Sequence, residues 1–484
     1  MPSNLCYRPA HELAARIRSK ELSPVELMQA CLDRIEETDP TLNAFIAKRP
    51  PEELLADARA MEARIVRGEE VGPLAGLPFG VKELEDLAGF PSTQASLPFK
   101  DHYPQWDSIQ VQRLKKAGAI AIGKTNSPEF GYTAFTKNLI WGVSRNPWNP
   151  ERTPGGSSGG SSAAVAAGQV PFCTGSDGGG SVRIPACWTG LPGMKPSFGR
   201  IPMGPYEMIP WTDFSVFGPL VRTVHDAALY MDAVVGTHEA DPNSLPHPGY
   251  SYVDVLDRLP KALRIAWSPD LGYAEVEPDV LREVTNAAKA FEEMGYQVDE
   301  VHKIFDDTGS LWGKASSAGT YATVFDKLED HREEFGHAFL KGTEGARRFT
   351  PEKYGAAMRA KATLVNQLWE FFESYDLLLT PTLPTDAIDA RGRWPERING
   401  KKVKNPLHVV AFTYPFNMSG HPACSVRAGF SDAGLPVGLQ IVGGRHRDDL
   451  VLQAAYAFEQ ARPWNHHWPV QVEWPKYERG TVLV

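Results

Sequence analysis

The sequence predicts an α/β protein in which helices surround a large, mixed and twisted β-sheet. Segments with the apolar periodicity of helices alternate with short apolar segments of strand length, and this alternation is typical of α/β folds. The length of 484 residues allows a core large enough to fold without disulfides or bound metal. The 43 glycines and 40 prolines follow no fixed repeat, so they indicate many turns rather than a fibrous protein.

The first helices and strands have clear end signals. Residues 23–39 begin with SPVE, a capping box with proline in the first helical turn, and therefore predict a helix. Residues 51–68 predict a second amphipathic helix, and residues 72–85 (GPLAGLPFGVKELE) predict a strand that enters a loop. In residues 108–123 a helix, a glycine and an apolar strand follow one another, which makes one α/β step.

The same step recurs in the rest of the chain. Residues 161–175 predict an alanine-rich helix, ended by glycine, and then an apolar strand. Further segments are predicted as a helix at 224–236, a strand at 263–268, a long helix running into a strand at 277–301, a strand at 376–381 and a helix at 449–462. Residues 310–376 are mostly helical in character, so we expect an insertion or helical cap over about 300–372.

Charge and cysteine content argue against several classes of protein. The formal net charge is −9 and no block of Lys or Arg offsets it, which disfavours a nucleic-acid partner. The five cysteines are widely spaced and include no CxxC pair, so we expect buried free thiols and no zinc site. We find no run of about 18 apolar residues and no signal peptide. We therefore expect a cytoplasmic protein with no membrane partner.

Residues 118–125 (GAIAIGKT) match the phosphate-loop pattern GxxxxGK[ST]. A phosphate loop needs a strand before its first glycine and a helix after its lysine. In this chain a helix precedes Gly118, and the residues AIAI are themselves the apolar strand. No loop is left to hold a phosphate, so we do not predict a nucleotide site.

Residues 155–160 (GGSSGG) match GxSxG at either Ser157 or Ser158. A nucleophile elbow needs a strand before the serine, whereas residues 146–154 (NPWNPERTP) are typical of turns. An α/β-hydrolase would also need a downstream acid and histidine, and no residue stands out for that role. The alternative of a flexible linker also fits poorly, because an amphipathic helix follows at once.

A third segment, residues 175–185 (GSDGGGSVRIP), has three glycines before Ser181. Glycines 178–180 lack Cβ atoms, so their N–H groups are free to converge in a tight turn. Converging N–H groups are what an oxyanion hole requires. A plain glycine turn between a strand and a helix explains the same residues, and the pattern by itself does not decide.

A base for these serines is missing from their neighbourhood. Residues 155–200 contain 12 glycines and 7 serines but no histidine. A lysine can act as the base if burial keeps it neutral. Lys82, Lys124 and Lys195 all lie in apolar or Gly/Pro-rich surroundings, and composition does not choose among them.

Taken together, these segments resemble the amidase signature enzymes. The similarity extends over nearly the whole chain, in the same order and with similar spacing. It is carried by GLPFGVKELED (76–86), RLKKAGAIAIGKTNSPEFG (113–131), NPWNPERTPGGSSGGSSAAVAAG (146–168), GSDGGGSVRIPACWTGLPGMKPSFGRIP (175–202), FGPLVRTVHDAALYMD (217–232), PFNMSGHPACSV (415–426) and GLPVGLQIVG (434–443). The resemblance implies a single amidase domain over residues 1–484, with a core at about 70–235.

The resemblance also implies a Ser–cis-Ser–Lys catalytic triad. Ser181 would be the nucleophile, Ser157 the bridging serine after a cis peptide bond, and Lys82 the base. The N–H groups of Gly178, Gly179, Gly180 and Ser181 itself would form the oxyanion hole.

Substrate binding is assigned from the same resemblance to Tyr132 and Ser158. Four aromatic residues are candidates for an acyl or aryl pocket, although they fit the core equally well: Tyr206, Trp211, Phe214 and Phe217. Asp177 and Arg183 flank the nucleophile, and we expect them to brace its loop rather than to react. The family's usual GTDTGGS appears here as GSDGGGS, with an extra glycine at 178.

The activity implied by the resemblance is cleavage of the C–N bond in an amide, aryl amide or carbamate (urethane). The expected partner is a small-molecule substrate, with no cofactor or metal, in a monomer or homodimer. One alternative is the A subunit of a glutamine-dependent tRNA amidotransferase, although residues 126–132 (NSPEFGY) look more like those of stand-alone hydrolases. A non-catalytic scaffold of the same fold is the other alternative.

Overall fold

The computed structural model describes residues 4–206 and 213–469. The helices in these residues are α1 (Ala10–Arg18), α2 (Pro24–Leu42), α3 (Pro51–Val66), α4 (Ile109–Lys116), α5 (Gly159–Ala166), α6 (Arg183–Thr189), α7 (Val224–Val234), α8 (Tyr252–Val255), α9 (Pro278–Glu293), α10 (Gly309–Val324), α11 (His337–Glu344), α12 (Pro351–Ser374), α13 (Tyr414–Met418) and α14 (Asp448–Ala461). The strands are β1 (Phe45–Lys48), β2 (Pro78–Lys82), β3 (Ile120–Thr125), β4 (Lys137–Asn138), β5 (Gly142–Val143), β6 (Phe172–Asp177), β7 (Gly193–Lys195), β8 (Val216–Leu220), β9 (Arg264–Trp267), β10 (Gln297–Glu300), β11 (Leu377–Pro381), β12 (Arg397–Ile398), β13 (Lys401–Lys402), β14 (Ala423–Phe430) and β15 (Pro436–Gly443).

Eleven strands form one mixed sheet, which confirms the predicted fold class. Their order is β1-β3-β2-β6-β8-β7-β14-β15-β11-β9-β10. Strands β3, β2 and β6 are parallel to one another, as are β11, β9 and β10. The strands between these two groups pair antiparallel. The main hydrophobic core lies between this sheet and the helices packed on it.

The local end signals in the sequence correspond to real helix ends. Ser23 caps α2 by accepting a hydrogen bond from the Val25 N–H, and Glu26 completes the capping box. Residues 120–125 form the buried strand β3 directly after α4, so GAIAIGKT contains no phosphate loop, as predicted. All five cysteines are free and buried, which also agrees with the sequence-based expectation.

The parallel pairing of β2 with β6 brings together the segments that carry the candidate catalytic residues. Lys82 is the last residue of β2, and Asp177 is the last residue of β6. Because parallel strands end at the same edge of a sheet, the Lys82 side chain and the glycine-rich segment after Asp177 meet there. The Lys82 N–H also donates to Thr174 Oγ1 at 2.9 Å, which fixes the two strand ends against each other.

Helix α5 is built from small residues because its first turn packs closely against neighbouring segments of the chain. Every residue of α5 is buried. A Cβ atom on Gly160 would lie 2.3 Å from the backbone nitrogen of Asn126, and one on Gly159 would lie 2.1 Å from Thr136 Oγ1. This close packing sets the position of Ser157 and Ser158, which immediately precede the helix.

Residues 309–344 contain α10 and α11 and are called the helical segment below. Four of its buried side chains form a small separate core: Val324, Leu328, Phe335 and Phe339. Phe99, Phe130 and Tyr132 pack against this core from the loops that follow β2 and β3. The helical segment is therefore attached to the same edge of the sheet that carries Lys82. Across residues 4–206 and 213–469, no helix has the length and apolar character needed to cross a membrane.

Candidate active site

Lys82 is fully buried at the end of β2. Its Nζ lies 2.7 Å from Ser157 Oγ, 2.8 Å from Ser176 Oγ and 3.3 Å from the Ser176 carbonyl oxygen. Burial lowers the pKa of Lys82 to about 7, against the opposing effect of the Asp177 and Glu85 carboxylates. A substantial fraction of the amine is therefore neutral near pH 7, as a proton acceptor must be.

Contacts, rather than pKa values, distinguish Lys82 from the other two candidate lysines. Burial also lowers the pKa of Lys124, and it lowers the pKa of Lys195 to about 7. Lys124 Nζ, however, donates to Ser92 Oγ at 3.0 Å, and Lys195 Nζ donates to the Pro196 carbonyl at 3.0 Å. Of the three, Lys82 is the lysine that contacts a serine of the GGSSGG segment.

Ser157 lies between the cis Gly156–Ser157 peptide bond and the start of α5. The serine is 3% exposed and contributes to the wall of a large cavity. Gly156 is packed tightly, since a Cβ atom there would lie 2.6 Å from the Thr133 carbonyl oxygen. Ser157 therefore has one side against Lys82 and another toward the cavity.

Ser181 follows glycines 178–180 in the turn between β6 and α6. It is half-buried and lines the same cavity as Ser157. The Ser158 N–H donates to the Ser181 carbonyl at 3.2 Å, so the backbone of Ser181 is tied to the residue that follows Ser157. Both candidate serines thus belong to one site.

A buried ion pair braces the turn that carries Ser181, as the sequence predicted. Arg183 Nη2 lies 2.9 Å from Asp177 Oδ1, and both side chains are completely buried. The Asp177 carboxylate also accepts hydrogen bonds from the N–H groups of Gly180 at 2.7 Å and Val182 at 3.2 Å. Burial alone would raise the pKa of Asp177, but Arg183 reverses this and holds it well below its usual range.

The expectation that Gly180 supplies an oxyanion-hole donor needs correction. Its N–H already donates to Asp177 Oδ1 at 2.7 Å. The N–H groups of Gly178, Gly179 and Ser181 donate to no residue that the structure describes. Gly178, Gly179 and Ser181 also line the cavity.

The structure places Ser158 behind the cavity wall. Ser158 is fully buried and does not line the cavity. Its hydroxyl donates to the Ser176 carbonyl at 3.3 Å and accepts from the Ser176 N–H at 3.4 Å. Ser158 therefore supports the end of β6 instead of facing a substrate.

The cavity above the two serines has a volume of about 1670 Å³. Tyr132, Tyr206, Phe214 and Phe217 line it, whereas Trp211 lies outside the described residues. Other aromatic side chains of the wall are Phe99, Phe130, Trp312, Phe349 and Trp394. The site thus combines a small polar centre with a wide cavity that has several aromatic side chains in its wall. Within the described ranges, no cluster of three or more His, Cys, Asp or Glu residues is arranged to hold a metal ion.

Comparison with known proteins agrees with this geometry. A family profile described as Amidase matches residues 26–452. The chain is 38% identical over 468 residues to the acylamidase of Rhodococcus erythropolis, across 95% of this chain and 97% of that protein. The chain belongs to the amidase signature family. It is therefore an amidase, a hydrolase that acts on carbon–nitrogen bonds.

Other relatives differ in what they act on. The A subunit of the glutamyl-tRNA(Gln) amidotransferase of Moorella thermoacetica is 35% identical over 493 residues, across 96% of this chain and 99% of that protein. Among solved structures, a bacterial aryl acylamidase of the amidase signature family superposes with a TM-score of 0.89 at 32% identity, across 96% and 99% of the two chains. A 6-aminohexanoate cyclic dimer hydrolase complexed with substrate gives a TM-score of 0.86 at 29% identity, with the same coverage.

The nucleophile-elbow interpretation is not supported by the fold of this amidase. An elbow requires a strand that runs directly into the serine, but residues 153–158 contain no strand.

Trp312 is a site residue that sequence reasoning missed. Its indole Nε1 donates to the Gly178 carbonyl at 2.9 Å, and its ring lines the cavity. Trp312 lies in α10, far along the chain from the glycine-rich turn, and no local motif surrounds it. Only its helical position within the expected cap could have pointed to it.

Replacement of Asp177 by Asn should destabilise the protein strongly, because Arg183 would stay buried without its charge partner. We expect the free energy of unfolding to fall by about 3–5 kcal/mol, measured from the urea midpoint and slope. Asp432→Asn is the matched control, since Asp432 pairs with Arg282 at the surface. Its urea midpoint should not change, because exposed pairs contribute little. Equal midpoints for the two variants would contradict the bracing role.

Proposed function

We propose that this chain hydrolyses the C–N bond of a small aryl or alkyl amide, or of a carbamate (urethane), through an acyl-enzyme on Ser181. Ser157 and Lys82 would form its proton relay. The observation that carries the proposal is the 2.7 Å hydrogen bond between Lys82 Nζ and Ser157 Oγ, beside a cavity that Ser181 also lines. The acylamidase relatives support the same chemistry.

In the first step, the Ser181 hydroxyl attacks the carbonyl carbon of the substrate. Its proton passes to Ser157 Oγ, and Ser157 passes its own proton to the neutral amine of Lys82. The new C–O bond gives a tetrahedral intermediate with negative charge on the former carbonyl oxygen. The depressed pKa of Lys82 supports this role, because an ordinary lysine would already be protonated at pH 7.

The N–H groups of Gly178, Gly179 and Ser181 are the donors that we assign to the oxyanion. They have no partner among the described residues, and they lie at the cavity wall. One well-placed donor of this kind contributes about 2.7–4 kcal/mol of transition-state stabilisation. The space beside Gly178 is filled by Ser215, because a Cβ atom on residue 178 would lie 2.8 Å from Ser215 Oγ.

Collapse of the intermediate requires the relay to run in reverse. Ser157 donates a proton to the leaving nitrogen and regains one from the Lys82 ammonium, so that the C–N bond breaks and a neutral amine departs. Water then attacks the acyl-enzyme, with its proton taken by the same relay. Release of the acid from Ser181 restores the starting state.

The cavity favours aryl and other apolar amides as substrates. Aromatic and aliphatic side chains make up much of its wall, including Ile184, Phe214, Phe217 and Trp312. Free glutamine would need charged partners for its ammonium and carboxylate groups. Charged side chains such as Asp101, Lys314 and Lys327 line the cavity, but Ile184 and Trp312, which contact the glycines before Ser181, offer none. The similarity to the A subunit of an amidotransferase keeps a glutaminase function as the second candidate.

The purified chain alone should hydrolyse anilides and aryl carbamates with kcat/KM values at least about 100-fold above that for glutamine, since apolar burial is worth about 1.5–3 kcal/mol per large side chain. A panel of anilides, aliphatic amides, aryl carbamates and glutamine, assayed by amine or ammonia release, measures this ratio. Preference for glutamine would favour the amidotransferase alternative.

A fluorophosphonate should add covalently to Ser181, because the relay activates that hydroxyl. Intact mass and peptide mapping will locate the adduct. Ser181→Ala should lose both the adduct and turnover, whereas Ser158→Ala should keep both because Ser158 does not face the cavity. No adduct in the wild-type chain would favour a non-catalytic scaffold. An adduct that persists in the Ser181→Ala variant would refute the assignment of Ser181 as the nucleophile.

The pH profile of kcat/KM should follow the protonation of Lys82. For a neutral substrate the rate should rise about tenfold per pH unit below pH 7 and level off above it, because the pKa of the base is about 7 and only the neutral amine accepts a proton. Lys82→Met should lower kcat/KM by about 10²–10⁴-fold, with the thermal unfolding transition still measurable.

Two other buried groups have pKa values near 7 and provide the controls for this profile. Burial raises the pKa of Glu129 to about 7 and lowers that of Lys195 to about 7. The variants Glu129→Gln and Lys195→Met should both retain the tenfold rise of kcat/KM per pH unit below pH 7. If this rise disappears in either variant, Lys82 is not the base whose titration controls the rate.

A further inference from the structure

Trp312 contacts the glycine-rich turn from the helical segment. Its Nε1 donates to the Gly178 carbonyl at 2.9 Å. Its ring lies against Gly179, where a Cβ atom would be 2.3 Å from Trp312 Cζ2. The same side chain lines the cavity. One residue outside the sheet therefore touches two successive residues of the turn that carries the nucleophile.

The hydrogen bond from Trp312 fixes the orientation of a peptide group. In a trans peptide the C=O and the following N–H point in opposite directions. Holding the Gly178 carbonyl toward the indole therefore directs the Gly179 N–H away from it. A peptide flanked by two glycines has no Cβ atoms to restrict its rotation, so this orientation depends on an outside contact.

We infer that Trp312 is a positioning residue that orients the Gly178–Gly179 peptide, so that the Gly179 N–H can bind the oxyanion. This inference rests on the proposed function. Trp312 acts through the peptide rather than on the reacting atoms. The effect is expected in the transition state, where charge develops on the oxygen that the N–H would bind.

The carbonyl groups of the next two glycines in the turn also accept hydrogen bonds from residues outside the helical segment. Thr413 Oγ1 donates to the Gly179 carbonyl at 2.6 Å, and the Ile184 N–H donates to the Gly180 carbonyl at 2.6 Å. Each carbonyl of the glycines thus has its own donor, and Trp312 supplies the one for Gly178. Loss of the indole N–H would leave that peptide without its anchor.

The indole of Trp312 is held in place by a stacked tyrosine. Its ring stacks on Tyr414 with centroids 5.9 Å apart. Tyr414 donates to Asp307 Oδ1 at 2.7 Å, and the same oxygen accepts the Gly309 N–H at 2.8 Å where α10 begins. The position of the indole is therefore set by the start of the helical segment.

The test is Trp312→Phe, which keeps an aromatic ring over Gly179 but removes the N–H donor. We expect kcat for the best anilide to fall by about 10- to 100-fold, while KM changes by less than about twofold. The midpoint of the pH profile should stay near 7, because the relay through Lys82 is untouched. The affinity of a trifluoromethyl ketone analogue should fall in proportion to kcat/KM, since such an analogue binds as the tetrahedral oxyanion.

Two further measurements separate the lost hydrogen bond from lost packing. Incorporation of 3-benzothienylalanine at position 312 preserves the shape of the indole and replaces its N–H with sulfur, so it should reproduce the fall in kcat even if the phenylalanine variant folds poorly. Trp464→Phe is the matched control, because Trp464 Nε1 donates to the Arg222 carbonyl at 3.1 Å away from the cavity. It should leave kcat unchanged.

An unchanged kcat in the benzothienylalanine protein, or a rise in KM alone, would overturn the inference. Fluorophosphonate labelling in the same preparations distinguishes this failure from failure of the proposed function. If the wild-type chain labels at Ser181 and the position-312 variants turn over normally, the positioning role alone is refuted. If the wild-type chain does not label at Ser181, the proposed function is refuted, and the inference with it.

Discussion

The site depends on keeping a lysine amine out of water next to a serine. Desolvation pushes the pKa of Lys82 down to about 7, while three carboxylates, Asp177, Glu85 and Glu83, act in the opposite direction. Asp177 is the largest of these opposing influences, yet its charge is shared with Arg183 at 2.9 Å. Arg183 therefore allows an acidic residue to organise the turn beside Lys82 without fully restoring the positive charge of the amine.

Glycine serves three different purposes around the two serines. Gly156 and Gly160 lack side chains because main chain from other segments, at Thr133 and Asn126, occupies the space. Gly179 leaves room for the Trp312 ring. Gly180 adopts a positive φ of 125°, a backbone conformation that residues with a Cβ atom rarely adopt. The excess of glycine near the serines therefore reflects close packing as much as free N–H groups.

The sequence predicted the local elements well because their signals are local. The capping box at Ser23 and the glycine after α4 act within a few residues of the ends that they mark. The pairing of β2 with β6, and hence the choice of Lys82 over Lys124, required the family resemblance, because strand order depends on contacts between distant segments. The different surroundings of Ser157 and Ser158 could not be predicted, because adjacent residues at a helix start point in different directions, and sequence spacing does not show which one faces the cavity.

If Trp312 positions the oxyanion donor, the helical segment would link substrate selection to transition-state stabilisation. Thr413 and Ile184 hold the carbonyls of Gly179 and Gly180 from outside the helical segment. Trp312 belongs to α10, whose residues Ser316 and Ser317 also line the cavity. A substrate that fits α10 well would keep the indole on Gly178, and a poor fit would loosen that contact. Such a coupling converts substrate fit into kcat rather than into binding alone.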